Sequence, residues 1–248
     1  MYNFIVEDGY NSSYIDTLLM SLFYTPSDLE NIFLNNDPKN IYNIYLQELI
    51  KNRFTDALKD HNSILFETIN EIRNNLFMYG WLDYETICDN QNVINFYKYF
   101  ADLFIQPIQI QKTNEIENIY HIDIKCDASD QIITIKDTFN DWLNNNEIIN
   151  IPQIIPFNIN KTNNNKINIQ KRIKIEQNNK TNDWIFHSAI CCQTDVSNSY
   201  YCILQNCGKW FLYDNNNIPC IKEIKMNDKE ITDKIMSDVC LIFYIYDK

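Results

Sequence analysis

The sequence predicts an α+β fold, with helices first and strands second. Three observations carry this: helical periodicity over roughly the first hundred residues, a change to period two from about residue 117, and no alternation of strand and helix units. The chain has 248 residues and is 45% apolar, enough to bury a sizeable core and fold unaided. The expected organisation is one domain over residues 1–248, helical over 1–106 and β-rich over 107–248.

The first helix is read from Ile15, Leu18, Leu19, Leu22 and Phe23, one apolar stripe at i, i+3, i+4, i+7 and i+8. Ser13 and Asp16 have capping-box spacing at its start, and Ser27 with Glu30 marks a second start after Pro26. Further stripes run through Ile41, Ile44, Tyr45 and Leu49, then through Ile64, Leu65, Ile69, Ile72 and Leu76 up to Gly80. A last one carries Val93, Phe96, Tyr97, Phe100 and Phe104, and Pro107 bars its continuation. Alternation then takes over at Tyr120, Ile122, Ile124 and Cys126, and again at Ile167, Ile169, Ile173 and Ile175. A short helix is expected at Thr138 to Leu143. Strand-like runs follow at Trp184 to Cys192, Tyr200 to Gln205, Trp210 to Tyr213 and Val239 to Tyr246.

A net charge of −12 argues against nucleic acid and for a basic protein partner, because phosphate binding needs clustered cations. The densest basic group, Lys171 to Lys174, alternates with apolar residues and reads as a solvated strand face. No apolar run is long enough to span a bilayer, and the first residues carry acids where a signal peptide is basic, so the expectation is an intracellular protein with no membrane partner. None of the eight cysteines forms a C-x-x-C pair, so free thiols are expected, with no metal and no cofactor. Heavy use of Asn and Ile points to AT-rich coding, and the Asn-rich stretches read as loops.

Tyr10-Asn-Ser-Ser-Tyr-Ile-Asp-Thr-Leu-Leu-Met-Ser-Leu-Phe23 resembles, in register, the Gly-Asn-Thr-Cys-Tyr-Met-Asn-Ser-Leu-Leu-Gln-Ser-Leu-Phe box of the ubiquitin-specific proteases (peptidase C19). Other stretches follow in the family's order. Gln91 to Phe100 resembles Gln-Asp-Ala-x-Glu-Phe-Leu-x-x-Leu, and Ile151 to Lys161 resembles the Leu-Pro-x-x-Leu strand. Trp184 to Ile190, Asn198 to Leu204, Lys209 to Asn215 and Leu241 to Tyr244 resemble the strands that close the domain. The resemblance covers Asp8 to Tyr246. It implies a papain-like fold with a helical thumb and an antiparallel β palm, the fingers abbreviated between Pro107 and Ile151.

Thiol-protease chemistry needs a cysteine at a helix N-terminus, a histidine base and a group to orient that histidine. The resemblance places the cysteine on Ser13, the histidine on Ser199 and the orienting aspartate on Asp214. The oxyanion asparagine falls on Asp8, whose carboxylate would repel the developing charge. Tyr10 replaces the glycine of the first box; Asn11, Asn198 and Asn215 complete the expected cleft. Of the three histidines, His187 is expected in a strand with one ring nitrogen bonded, and His61 and His121 are expected to be solvated. The implied function is that of a non-catalytic homologue that binds ubiquitin or an assembly partner, such as a component of a viral particle. The alternative is an active deubiquitinase in which Ser13 replaces a cysteine.

Overall fold

The computed structural model describes residues 6–7, 12–35, 43–81, 92–112, 115–126, 132–161, 165–177, 180–193 and 199–247. They fall into two compact units: Met1–Ile105 with Cys192–Ile224, and Gln106–Cys191 with Lys225–Lys248. In chain order the helical part comprises α1 (Ser13–Phe23), α2 (Leu29–Leu34), α3 (Asn43–Ile50), a π-helical turn (Lys51–Thr55), α4 (Asp56–Lys59), α5 (Phe66–Met78) and α6 (Val93–Phe104). Next come β1 (Ile108–Lys112), β2 (Glu115–Ile119), β3 (Ile122–Cys126), β4 (Ile132–Thr134), α7 (Ile135–Leu143), β5 (Glu147–Ile148), β6 (Ile154–Lys161), β7 (Lys166–Asn168) and β8 (Arg172–Gln177). The chain closes with β9 (Lys180–Gln193), β10 (Ser199–Asn206), β11 (Lys209–Tyr213), β12 (Ile221–Ile224), α8 (Lys229–Asp238) and β13 (Val239–Tyr246).

In the first unit α1 is buried along its whole length. Tyr14 and Met20 add to its apolar surface, and the polar side chains buried with it are hydrogen-bonded: Thr17 to Tyr200 O, Ser21 to Leu18 O and Asp16 to Tyr213. An aromatic series joins α1 and α2 to α6. Tyr14 meets Phe96 edge-on at 5.0 Å, Phe33 stacks on Phe100 at 5.5 Å, and Phe100 meets Phe104 at 5.0 Å. Asn92 starts α6 by accepting hydrogen bonds from the backbone of Ile94 (2.9 Å) and Asn95 (3.3 Å). α5 ends as its glycine predicts. Gly80 has φ +90°, its N–H reaches Phe77 O, and Trp81 N–H reaches Leu76 O, a Schellman motif. β10, β11 and β12 form an antiparallel meander. Cys207 and Gly208 form the two-residue turn between β10 and β11, both at positive φ (50° and 77°), the geometry that matches strand twist.

In the second unit β9, β13, β6 and β3 lie side by side in that order, antiparallel except for the parallel β6–β3 pair, and β8 pairs with β9. Phe157, Phe186 and Tyr244 meet edge-on in its core, and the Trp184 indole donates to Pro152 O at 2.8 Å. The Lys161 ammonium donates to the carbonyls of Met236 and Ser237 and so supplies the cation that the last turn of α8 lacks. Burial pulls its pKa down. A separate sheet has the order β2-β1-β5.

Several expectations change at this level. Alternation starts at Ile108, not near residue 117, because Pro107 ends the helical segment and β1 begins directly after it. The short helix begins at Ile135 rather than Thr138. Arg172 and Lys174 are exposed on β8, as a solvated strand face requires. His121 is not solvated: its side chain is 12% exposed, with Nε2 3.4 Å from Asp123.

Three phenols set the alkaline limit of the fold. Burial raises the pKa of Tyr99 to about 12, and burial is also the main cause that pushes those of Tyr213 and Tyr244 well above the ordinary phenol value. An unfolded phenol ionises near pH ~10, so above that pH the unfolded chain has released protons that the folded chain still holds, and stability falls. Urea midpoints should therefore drop steeply above about pH 10. The phenolate absorbance of these three buried tyrosines should appear together with unfolding, and ionisation of all tyrosines well before unfolding would contradict this assignment.

Candidate functional site

The site is built around the N-terminal end of α1. The helix opens at Ser12, whose carbonyl accepts from Ile15 N–H (2.7 Å) and Asp16 N–H (3.2 Å). Ser12, and not Ser13, is therefore the N-cap, and it makes no side-chain cap bond; Ser13 is the first helical residue, 7% exposed. This corrects the capping-box reading, and Asp16 shows why. Its Oδ2 accepts from the Tyr213 hydroxyl at 2.7 Å and the Asn215 amide at 2.8 Å. A buried carboxylate needs strong donors, and those at the end of β11 satisfy it better than a backbone N–H that water could also serve.

α1 runs along β10: the Thr17 hydroxyl donates to Tyr200 O at 3.4 Å and the Thr25 hydroxyl to Gln205 O at 3.0 Å. This alignment keeps Ser199, the first residue of β10, at the Ser13 end of the helix. Asp214 follows β11 and is 7% exposed. As expected of a turn aspartate, its Oδ1 accepts from the backbone of Asn216 at 3.0 Å. The Asn216 side-chain amide bridges Asp214 Oδ1 (3.2 Å) and Ser199 Oγ (3.3 Å). Asp214 Oδ2 accepts from the amides of Asn217 at 2.6 Å and Gln193 at 3.4 Å. Ser199 and Asp214 thus share one donor, while Asn215 is turned to Asp16. Asp8, Tyr10, Asn11 and Asn198 lie outside the described residues.

Among the described residues of this unit, no side chain near Ser13 is set up as a thiolate or an imidazole base. Cys220 packs near Asp16, and burial, helped by the Asp16 carboxylate, raises its thiol pKa, which keeps it protonated and inert. The sole histidine of this unit, His61, lines a cavity of about 380 Å³ with Leu22, Phe23, Tyr24, Pro26 and Leu58 at the other end of α1. An eleven-residue helix places that end roughly 15 Å from Ser13. His61 is exposed, as expected, and His187 belongs to the other unit, in β9, 2% exposed. Among the described residues no group of three His, Cys, Asp or Glu side chains could hold a metal ion. No disulfide links the seven cysteines in the described part of the chain, and no helix there is long and apolar enough to cross a membrane.

Sequence reasoning missed Asp16, Tyr213, Asn216, Asn217 and Gln193. One signal was available for Asp16: it is the only charge in a helix otherwise free of Lys, Arg, Glu and solvent-facing polar runs.

This arrangement of helices and strands defines a ubiquitin-hydrolase-type fold, of mixed α and β content. Two solved structures show it. A crystal structure of an essential yeast splicing factor matches 100% of this chain and 70% of its own, with a TM-score of 0.64 and 13% identity. The apo Pan2 pseudoubiquitin hydrolase–RNA exonuclease module of Saccharomyces cerevisiae, solved in complex with AAGGA RNA, matches 99% of this chain at a TM-score of 0.64 and 9% identity. The chain spans about half of that Pan2 chain (54%). No family model and no curated protein matches the sequence.

Proposed function

We propose that the chain is a non-catalytic ubiquitin-specific-protease-like protein that works by binding another protein, ubiquitin or a partner in a larger assembly such as a virion. One observation carries this reading: the Asp214 carboxylate, which would orient an imidazole, is engaged by the amides of Asn216, Asn217 and Gln193, while the resemblance puts serines, Ser13 and Ser199, at the nucleophile and base positions. A serine hydroxyl is a far weaker acid than a thiol and needs a base within hydrogen-bond reach. Such a groove holds a peptide tail without cutting it. The neighbouring fold of a pseudoubiquitin hydrolase module supports the same reading, and the net charge of −12 favours a basic protein surface over nucleic acid. In this reading 1–248 form one protease-like domain, with Asp8, Tyr10, Asn11 and Asn198 at the groove and β1, β2 and β5 as abbreviated fingers.

Isothermal titration with ubiquitin tests the choice of ligand. Binding at micromolar concentration with no release of a tagged leaving group is the expected result for the ubiquitin version. No heat at high micromolar concentration rejects ubiquitin and leaves the assembly partner. Turnover abolished by Ser13→Ala would reject the whole reading.

A further inference from the structure

We propose that the outer edge of β2 is a docking site for an extended protein segment in which Lys or Arg alternates with apolar residues. β2 is the terminal strand of the β2-β1-β5 sheet. It pairs with β1 through five residues in unbroken register, from Ile108↔Ile119 to Lys112↔Glu115. Among the described residues nothing pairs with its other side, so a row of backbone N–H and C=O groups faces outward. Edge strands are normally protected by shortness, proline, a bulge or charged side chains. β2 is as long as β1 and regular, and the charges it carries, Glu115 and Glu117, turn away acidic strands but not basic ones.

The two faces of the sheet dictate the occupant. Ile108, Ile110 and Ile148 are buried on one face and hold the sheet in place. Further out on that face the register brings Lys112, Glu115 and Glu117 together, with Lys112 paired to Glu117. One cation between two carboxylates leaves surplus negative charge along the edge. The opposite face carries Gln109, Gln111 and Asn118 with Ile116, 59% exposed, and Ile149, 41% exposed. An added strand would set its basic side chains beside Glu115 and Glu117 and its apolar ones beside Ile116, since side chains alternate and directly opposed pairs interact. A second copy of this chain fits poorly, because antiparallel self-pairing about the strand centre sets Glu117 against Glu117. This inference rests on β2 alone and is independent of the site at Ser13.

The test is titration of the full chain with a short synthetic peptide of alternating lysine and valine, read by amide hydrogen exchange. Protection is expected at every second residue of Glu115–Ile119. Affinity should weaken by about tenfold or more when alternate peptide nitrogens are methylated, and similarly for the variant E115K/E117K. A peptide with glutamate in place of lysine should not bind the wild-type chain. Equal binding of the N-methylated peptide, equal binding of the glutamate peptide, or protection confined to other segments would each overturn the proposal. The peptide-side changes keep the test decisive should the double variant fold poorly.

Discussion

Ser13→Cys alone leaves the chain unreactive toward a ubiquitin bearing a carboxyl-terminal electrophile, whereas Ser13→Cys with Ser199→His raises alkylation of the new thiol by about tenfold or more at neutral pH. The first half follows from surroundings. A cysteine at position 13 gains the α1 N-terminus, whereas the one histidine of its unit, His61, lies at the far end of the helix and the resemblance puts a serine, Ser199, at the base position. An ordinary thiol, with a pKa near ~8.5, is only a few per cent ionised at pH ~7. The second half follows from the bridge that Asn216 makes between Ser199 Oγ and Asp214 Oδ1. An imidazole at 199 would compete with that amide for the same carboxylate and, once charged, would favour the thiolate. Alkylation kinetics as a function of pH read this directly. A covalent ubiquitin adduct with Ser13→Cys alone would show that a base had been overlooked.

Asp16→Ala should be the most destabilising single change at the site, costing about 3 kcal/mol in urea unfolding, a large share of the roughly 5–15 kcal/mol that holds a domain together. Asp16 is fully buried and serves two donors from the far end of the sequence, the Tyr213 hydroxyl and the Asn215 amide. Removing it strands both, and a stranded buried donor costs about 1–3 kcal/mol. Tyr213→Phe removes one of these bonds and should cost about half as much. A loss under roughly 0.5 kcal/mol for Asp16→Ala would mean that water replaces the carboxylate freely.

What the sequence disclosed and what it withheld divide along the distance over which each interaction acts. The apolar stripe of α1, the Gly80 terminus and the strand-like runs at β9, β10, β11 and β13 are local patterns, and the structure has an element at each. The positions Ser13, Ser199 and Asp214 came from the resemblance. The structure shows Ser199 and Asp214 tied through Asn216 and places the start of β10 at the Ser13 end of α1. Asp16 was misread because a capping box is also a local pattern, and nothing near residue 16 announces a tyrosine 197 positions later. His121 was misplaced for a related reason: alternation tells which side of a strand a residue takes, not whether a neighbouring element covers it. Lys161, closing α8 from another strand, had no sequence signature at all.

The complete burial of α1 has a consequence for how such a site can change. Ser13 begins the keel of its unit, the helix on which Phe96 and β10 are laid. A hydroxyl and a thiol differ little in size, so the first turn can gain or lose reactivity while the hull around it keeps its lines. Apolar positions such as Leu18, Leu19 and Leu22 have no such latitude, because each truncation opens a void in the middle of the unit.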